Sequence, residues 1–356
     1  HWEEAYQVTK SSVDQLKANG YELFSTTTQP DVFGNGPAAA LRQLVCQNAD
    51  YSGSPRDKET IYQARSGGIF VWHIGYIGSN MPNTFKPGTC PTQELVDAFE
   101  TINGKTVLDL NNPYQDEKHL IPNYNPENEM YDPNNPYANR DPRFDQTLLH
   151  NGSKMIWDNN EITVETYTGG AHAPSFEVSN RQRSRTGYFH SKMVTPGASG
   201  VNQINNASWK FYRLAGLLLN LAETAAEAGH LAEARTAANE VRARSGMPEL
   251  PADLSQEELI LRIHNERRVE LAWEENRYFD LRRWQEPDGD LSETCKWFTA
   301  MVITKNGDGS FSYTRRNISD NPRGGWQNKD LVLPLPLSEA SLLESVTGQT
   351  WQNQGW

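Results

Sequence analysis

The sequence predicts a mainly α-helical protein, in which a scaffold of antiparallel helices carries a large loop-rich region with short strands and short helices. Three observations support this fold class. Residues 209–246 have the periodicity of a helical hairpin. Residues 255–284 are typical of a long helix in which charged and aromatic side chains are mixed. The segment 25–205 is irregular, in a chain with 20 prolines and 26 glycines, which indicates long loops.

The hairpin at residues 209–246 carries the clearest helical pattern. In its first helix the apolar residues fall on one stripe, namely Leu214, Leu217, Leu218, Leu221, Ala222 and Ala225. Gly229 is expected to end this helix, because glycine readily adopts the left-handed conformation found after a helix C-terminus. From Leu221 to Ala234 the spacing of small and apolar residues matches a tetratricopeptide repeat, so a tetratricopeptide-like scaffold is predicted.

The start of the chain repeats part of this pattern. His1–Ala5 is similar to Gly229–Ala234, which places residue 1 near the turn of a repeat and residues 2–16 in its second helix. A lone half-repeat cannot bury its own apolar face. We therefore expect the chain to begin in the middle of a fold, with residues 1–24 as the remnant of a hairpin and an N-terminal part missing.

The charged helix is expected to begin at Ser255, which forms a capping box with Glu258. Further along, Glu270 and Glu274 are four residues apart and so lie on one side of a continuous helix. Two stacked carboxylates repel each other unless arginines come between them. The pattern therefore predicts a dense ion network that ties this helix to its neighbours, with the tryptophans of the segment as packing residues.

The same segment matches the pattern E-R-R-x-E-L-x-x-E-x-x-R-[YW]-x-D-L-x-R-W. The matching residues are Glu266, Arg267, Arg268, Glu270, Leu271, Glu274, Arg277, Tyr278, Asp280, Leu281, Arg283 and Trp284. This run resembles the signature helix of the SusD/RagB family, the surface glycan-binding lipoproteins of Bacteroidetes. Further family motifs follow the expected order at Pro91–Phe99, Asn139–Phe144, Thr186–Lys192 and Gln352–Trp356. In Asn139–Phe144 an aspartate can cap a backbone amide, and two arginines can bind carbonyls or carboxylates.

The resemblance covers the C-terminal two-thirds of a family member and implies a single SusD-like domain. Within it we expect a loop-rich ligand-binding region at 25–205, the hairpin and signature helix at 206–284, and loops with short strands at 285–356. The implied protein sits on the cell surface at the outer membrane, peripheral to the bilayer and held by a lipid anchor absent from this chain. It would capture oligosaccharide or polysaccharide and deliver it to a SusC-like TonB-dependent transporter, without catalysis.

Composition narrows the function classes. The net charge of −12 disfavours a nucleic-acid partner, because an acidic surface repels phosphate. No motif for a zinc protease, a serine hydrolase or a phosphate-binding loop occurs. Two alternatives stay open: a secreted glycoside hydrolase with an unrecognised carboxylate pair, and a peptide-binding tetratricopeptide scaffold.

The candidate sugar-binding residues are aromatic side chains in loops, because a sugar ring stacks its apolar face on an aromatic plane. In Phe70–Asn80, Trp72 and Tyr76 lie among glycines, while His73 and Asn80 supply hydrogen bonds. A buried strand is the competing interpretation of this segment. The second candidate is Trp157, which precedes Asp158, Asn159 and Asn160, and the third is the pair Tyr131 and Tyr137.

No cofactor and no catalytic residue are expected. The loop Asn111–Asp141 has oxygen ligands that could hold a structural calcium ion, but it departs from the EF-hand pattern and a solvated loop is favoured. Cys46, Cys90 and Cys295 lack the spacing of a zinc site. One disulfide with a leftover thiol and three free thiols are both compatible with the sequence.

Overall fold

A computed structural model describes residues 1–47, 57–64, 69–70, 89–157, 160–177, 183–196, 204–205, 209–284, 296–322 and 328–356. Its helices are α1 (Trp2–Ala18), α2 (Pro30–Phe33), α3 (Ala39–Cys46), α4 (Gln93–Ala98), α5 (Arg143–Thr147), α6 (Leu214–Glu227), α7 (Leu231–Arg244), α8 (Gln256–Glu270), α9 (Asn276–Arg283) and α10 (Leu337–Thr347). Across the described ranges, none of these helices has the length and apolarity of a membrane span.

The scaffold is the group of helices α1, α6, α7 and α8, which surround the main apolar cluster. Tyr6 of α1, Ala222 of α6, Ala238 of α7 and Ile263 of α8 are all buried in it. The alanines at the crossing allow the α6 and α7 backbones to approach closely. Gly229 joins them with a φ of 86°, as expected for the residue after a helix C-terminus. The predicted helical hairpin is therefore confirmed.

Ten short strands accompany the helices in the described part of the chain. They are β1 (Thr60–Gln63), β2 (Ile69–Phe70), β3 (Leu148–Leu149), β4 (Lys154–Trp157), β5 (Asn160–Thr163), β6 (Phe189–His190), β7 (Ile204–Asn205), β8 (Lys210–Arg213), β9 (Thr299–Lys305) and β10 (Phe311–Asn317). The pairs are antiparallel: β1 with β8, β2 with β7, β3 with β6, β4 with β5 and β9 with β10. A turn at Asn306–Gly309 joins β9 to β10.

The β1–β8 and β2–β7 pairs are formed by the same two stretches of chain, one after the other. β1 and β2 lie on one stretch and β8 and β7 on the other, and the partners Thr60↔Arg213 and Phe70↔Ile204 keep nearly the same register. We call the described parts of these strands the ribbon. Its β8 end continues directly into α6, so the ribbon is attached to the helical scaffold.

Two boundaries differ from the sequence expectation. The hairpin expected from residue 209 begins at Leu214, because Lys210–Arg213 pairs with β1. The expected continuous helix over 255–284 is interrupted between α8 and α9. In the interruption Trp273 and Glu275 adopt φ values of 63° and 61°, which a continuous right-handed helix does not allow.

Candidate functional site

A buried ion network occupies the contact between α8 and its neighbours. At its centre Glu270 has no exposed surface and accepts hydrogen bonds from Arg143 at 3.0 Å, from Arg213 at 2.7 Å and from Arg244. Burial alone would raise the pKa of Glu270, but Arg244, Arg213 and Arg143 outweigh it and hold that pKa below its usual range. Glu270 is therefore ionised in the folded protein.

The network extends to both sides of Glu270. Arg143 also donates hydrogen bonds to Asp141 at 2.7 Å and to Glu266. Arg242 donates to Glu266 at 2.8 Å and to Glu100 at 2.9 Å, so it links these two carboxylates. Burial opposes ionisation of Glu266 as well, yet Arg143 and Arg242 lower its pKa. A glycoside hydrolase needs one protonated and one ionised carboxyl at an open cleft. These carboxylates are closed off and paired with arginine, so they fit the predicted structural role.

The break between α8 and α9 is part of the network. Because α8 ends at Glu270, the carbonyls of Glu270 and Ala272 are free to accept bonds from a side chain. The buried ammonium of Lys192 donates to them at 2.6 and 3.1 Å and to Glu274 at 2.7 Å. Burial lowers the pKa of Lys192, and Glu274 opposes that change. Lys192 thus fixes the interruption that the helical pattern alone does not predict.

A groove of about 1260 Å³ lies on the opposite face of α8, between α4, α9 and the loop 108–119. One stripe of α8 lines it, namely Leu261, His264, Asn265 and Arg268, and Ala272 of the interruption continues that stripe. Trp273 and Trp284 lie at its rim, where they stack on His190 and His264 with ring centroids 4.2 and 3.7 Å apart. These stacked contacts favour the packing role expected for both tryptophans.

Two charged groups distinguish this groove. Arg268 is partly buried, and its guanidinium group makes no hydrogen bond or ion pair with any residue of the described ranges. Glu94 is 5% exposed, and its Oε1 accepts bonds from the Thr299 amide at 2.9 Å and hydroxyl at 2.7 Å. Its Oε2 is buried and has no partner among the described residues. The groove can therefore accommodate a polar molecule as well as water.

A second accessible feature is the set of aromatic rings on the ribbon. Tyr62, Phe211 and Tyr212 are 56%, 52% and 67% exposed. The Tyr62 and Phe211 rings are stacked with centroids 5.3 Å apart, and Tyr62 and Tyr212 are 6.5 Å apart. We call these three side chains the aromatic platform. Sequence analysis missed it, because nothing local relates residues so distant along the chain.

The predicted sugar-binding residues Trp72, His73, Tyr76 and Asn80 lie outside the described residues. Trp157 ends β4, where its backbone pairs with Asn160, and its side chain lies outside the description. These residues therefore stay predictions.

The third candidate pair has protein contacts instead of an open face. Tyr137 stacks on His150 at 4.2 Å between centroids and bonds Tyr188 at 3.2 Å between hydroxyls. Tyr131 lies 5.6 Å from the guanidinium of Arg140. Both rings therefore support the loop that carries them.

The remaining expectations concern metals and cysteines. The described ranges contain no group of three or more His, Cys, Asp or Glu side chains placed to hold a metal ion. The solvated loop favoured at Asn111–Asp141, and the calcium ion that its oxygen ligands could hold instead, both stay untested. Cys46 is buried, and its thiol donates to the carbonyl of Lys192 at 3.4 Å. Burial raises the pKa of this thiol to about 11, so it is protonated at neutral pH.

Solved structures share this fold. A SusD-like protein from Bacteroides fragilis has a TM-score of 0.71 at 24% identity, over 100% of this chain and 62% of that chain. The protein BT4246 has a TM-score of 0.70 at 22% identity, over 100% and 62%. A SusD-like carbohydrate-binding protein from Bacteroides fragilis has a TM-score of 0.54 at 18% identity, over 94% and 70%. This chain thus spans less than two thirds of the first two proteins.

Comparison with curated proteins found no match. The sequence pattern of the SusD family, in contrast, matches residues 50–356, which is most of the chain. The matched region contains the ribbon, the scaffold hairpin, the ion network and the interrupted signature helix. The solved structures have the same mainly helical fold, which confirms the predicted fold class. The chain therefore belongs to the SusD family.

Proposed function

We propose that this chain belongs to a cell-surface protein that captures oligosaccharides and delivers them to a SusC-like TonB-dependent transporter of the outer membrane. Membership of the SusD family is the observation that carries the proposal. A protein of similar fold is described as a SusD-like carbohydrate-binding protein, which supports the ligand class. The full protein would be held at the membrane by a lipid, and the transporter would supply the energy for uptake.

The arrangement of the chain supports a binding role without chemistry. The buried ion network stiffens the scaffold, and the ribbon leads from that scaffold to the segment with the predicted site. Trp72 follows Phe70 of the ribbon by two residues. Trp72, Tyr76 and Trp157 would stack on sugar rings, while His73 and Asn80 would bond their hydroxyls. The affinity is expected to be modest, because exposed contacts must offset the lost freedom of ligand and loop.

Titration calorimetry against a panel of neutral and acidic oligosaccharides and of peptides tests the ligand class. We expect a saturable response to at least one oligosaccharide and none to the peptides. Binding of peptides alone would favour the tetratricopeptide-scaffold alternative. Incubation with the bound polysaccharide, followed by an assay for new reducing ends, tests the absence of catalysis. Release of reducing ends at a rate proportional to protein concentration would contradict it.

Delivery requires a complex with the transporter. We expect the full-length lipid-anchored protein to co-purify from outer membranes with a TonB-dependent barrel after mild detergent extraction. A matched purification of the protein without its lipid anchor separates co-localisation from direct binding. Recovery of the protein as a free monomer in both cases would contradict the delivery step while leaving glycan capture intact.

A further inference from the structure

The aromatic platform combines high exposure with a rigid support. Each of its three rings is more than half exposed, although they contact each other across two strands. Exposed rings that lie singly are common on proteins, but a contiguous exposed aromatic patch marks a surface used for binding. The three rings contact one another on the exposed side of β1 and β8 and so are not part of the buried core.

The two charged side chains of β8 point into the protein. Arg213 is 3% exposed and binds Glu59 at 2.7 Å, and Glu59 in turn accepts the amide of Phe24 at 2.8 Å. Lys210 is 7% exposed and donates to the carbonyl of Gln47. The ribbon is thus anchored by buried ion pairs and hydrogen bonds, while its exposed aromatic side chains are uncharged. An uncharged face does not select phosphate or carboxylate ligands.

The platform is also close along the chain to the proposed glycan site. β1 carries Tyr62, and the same stretch of chain passes through Phe70 toward Trp72. The opposite stretch passes through β7 and carries Phe211 and Tyr212 in β8. Tyr62 of the platform therefore precedes Trp72 by ten residues in the sequence.

We propose that Tyr62, Phe211 and Tyr212 form an additional sugar-stacking site for an uncharged oligosaccharide. This inference rests on the proposed function and extends its site along the ribbon. The apolar face of one sugar ring would lie on Phe211 and Tyr62, and the two tyrosine hydroxyls would bond hydroxyl groups at its edge. Stacking on the platform in addition to the proposed site makes affinity depend on glycan length, because the second contact is then intramolecular.

The test uses the whole chain and a length series of one uncharged oligosaccharide. In the wild-type protein, affinity should rise with length beyond the shortest binding unit. Phe211→Ala should reduce the affinity for long members about tenfold, which corresponds to one lost stacking contact, and leave the shortest binder unchanged. Phe211→Trp, which keeps an aromatic face, should retain the length dependence. Phe279→Ala removes an equally accessible ring from α9, where Phe279 is 61% exposed, and should change nothing.

A second measurement needs no variant. Nitration with tetranitromethane, followed by peptide mapping, should modify Tyr62 and Tyr212 in the free protein, and a long oligosaccharide should protect both. Normal glycan binding with unprotected tyrosines and an unaffected Phe211→Ala protein would overturn the platform but keep the proposed function. If the wild-type protein self-associates and Phe211→Ala abolishes this without any change in glycan binding, the platform is a protein interface and the proposal is wrong. Absence of any glycan binding would overturn both proposals.

Discussion

Glu270 shows how a single buried carboxylate depends on its partners. Three arginines converge on it, and no part of it reaches solvent. Removing one partner from such a pair leaves an uncompensated charge, which costs far more than losing a surface salt bridge. The stability of the scaffold should therefore respond very differently to arginines that lie in the network and arginines that lie beside it.

Arg143→Ala tests this difference. Arg143 is 1% exposed and holds Asp141, Glu266 and Glu270. Its loss should lower the free energy of unfolding by about 3–5 kcal/mol, measured by urea denaturation. Arg268→Ala is the matched control, because Arg268 belongs to the signature helix but has no ion-pair partner in the described ranges. Equal destabilisation by the two substitutions would contradict the assignment of the network as the stabilising element.

Glu223 gives the molecule a pH dependence at the residue scale. Burial opposes its ionisation, but His264 and Arg283 outweigh burial and lower its pKa to about 2. Because the folded pKa lies below the unfolded value of 4.5, this carboxylate stabilises the fold above pH 4.5. That contribution should be lost as the pH falls from about 4.5 toward 2.

Urea midpoints measured between pH 7 and pH 3 check this dependence. Glu223→Gln should be less stable than wild type at pH 7 and should lose less stability on acidification, so the two curves converge. Glu4→Gln, at an exposed position, should run parallel to wild type. A Glu223→Gln protein with the full wild-type slope would show that another group titrates.

Among the elements, α8 begins as its sequence predicts. Ser255 accepts the amide of Glu258 at 3.2 Å, and the Glu258 carboxylate accepts the amide of Ser255 at 2.9 Å. Ser255→Ala should therefore cost about 1 kcal/mol, seen as a lower urea midpoint. Ser255→Asp should restore most of it, because aspartate also accepts the capping bond. A substitution to alanine without effect would mean that packing alone positions this helix.

The other elements differ in how far the sequence could predict them. The α6–α7 hairpin and the capping box arise from residues close together in sequence, so periodicity and spacing indicate them. The break after Glu270 depends on Lys192, almost eighty residues earlier, and the i, i+4 pattern looks continuous without it. In the same way, β8 forms because it pairs with β1. The predicted start of the hairpin was therefore wrong, since residues 210–213 form a strand.

At the scale of the whole molecule, the proposed binding site combines features that local composition indicates only in part. Trp72 and Tyr76 are predicted to contact the ligand because the glycines beside them in the sequence are typical of an exposed loop. The aromatic platform joins Tyr62 to Phe211, and only the antiparallel pairing brings them together. Composition and motifs therefore predict the scaffold and one part of the proposed site, while strand pairing is needed to find the proposed platform.

Trp72→Ala and Tyr76→Ala test the first part of that site. Both substitutions should weaken oligosaccharide binding, measured by calorimetry, without lowering the melting temperature, because the prediction places both rings in an exposed loop and outside the core. Trp273→Ala is the packing control and should lower the melting temperature, since Trp273 stacks on His190. A large drop in melting temperature with intact binding in the Trp72→Ala protein would assign Trp72 to the core.

The interruption after Glu270 should make position 192 and the helix break change together during evolution. The ammonium group of Lys192 is held in the interior by two backbone carbonyl oxygens that the interruption leaves available and by the carboxylate of Glu274. A homologue whose helix runs straight through this point would lack the two carbonyl acceptors, so a buried ammonium group there would lose most of its hydrogen bonds. Sequences with an unbroken helix should therefore carry a neutral residue opposite it, and the two changes should be inherited together.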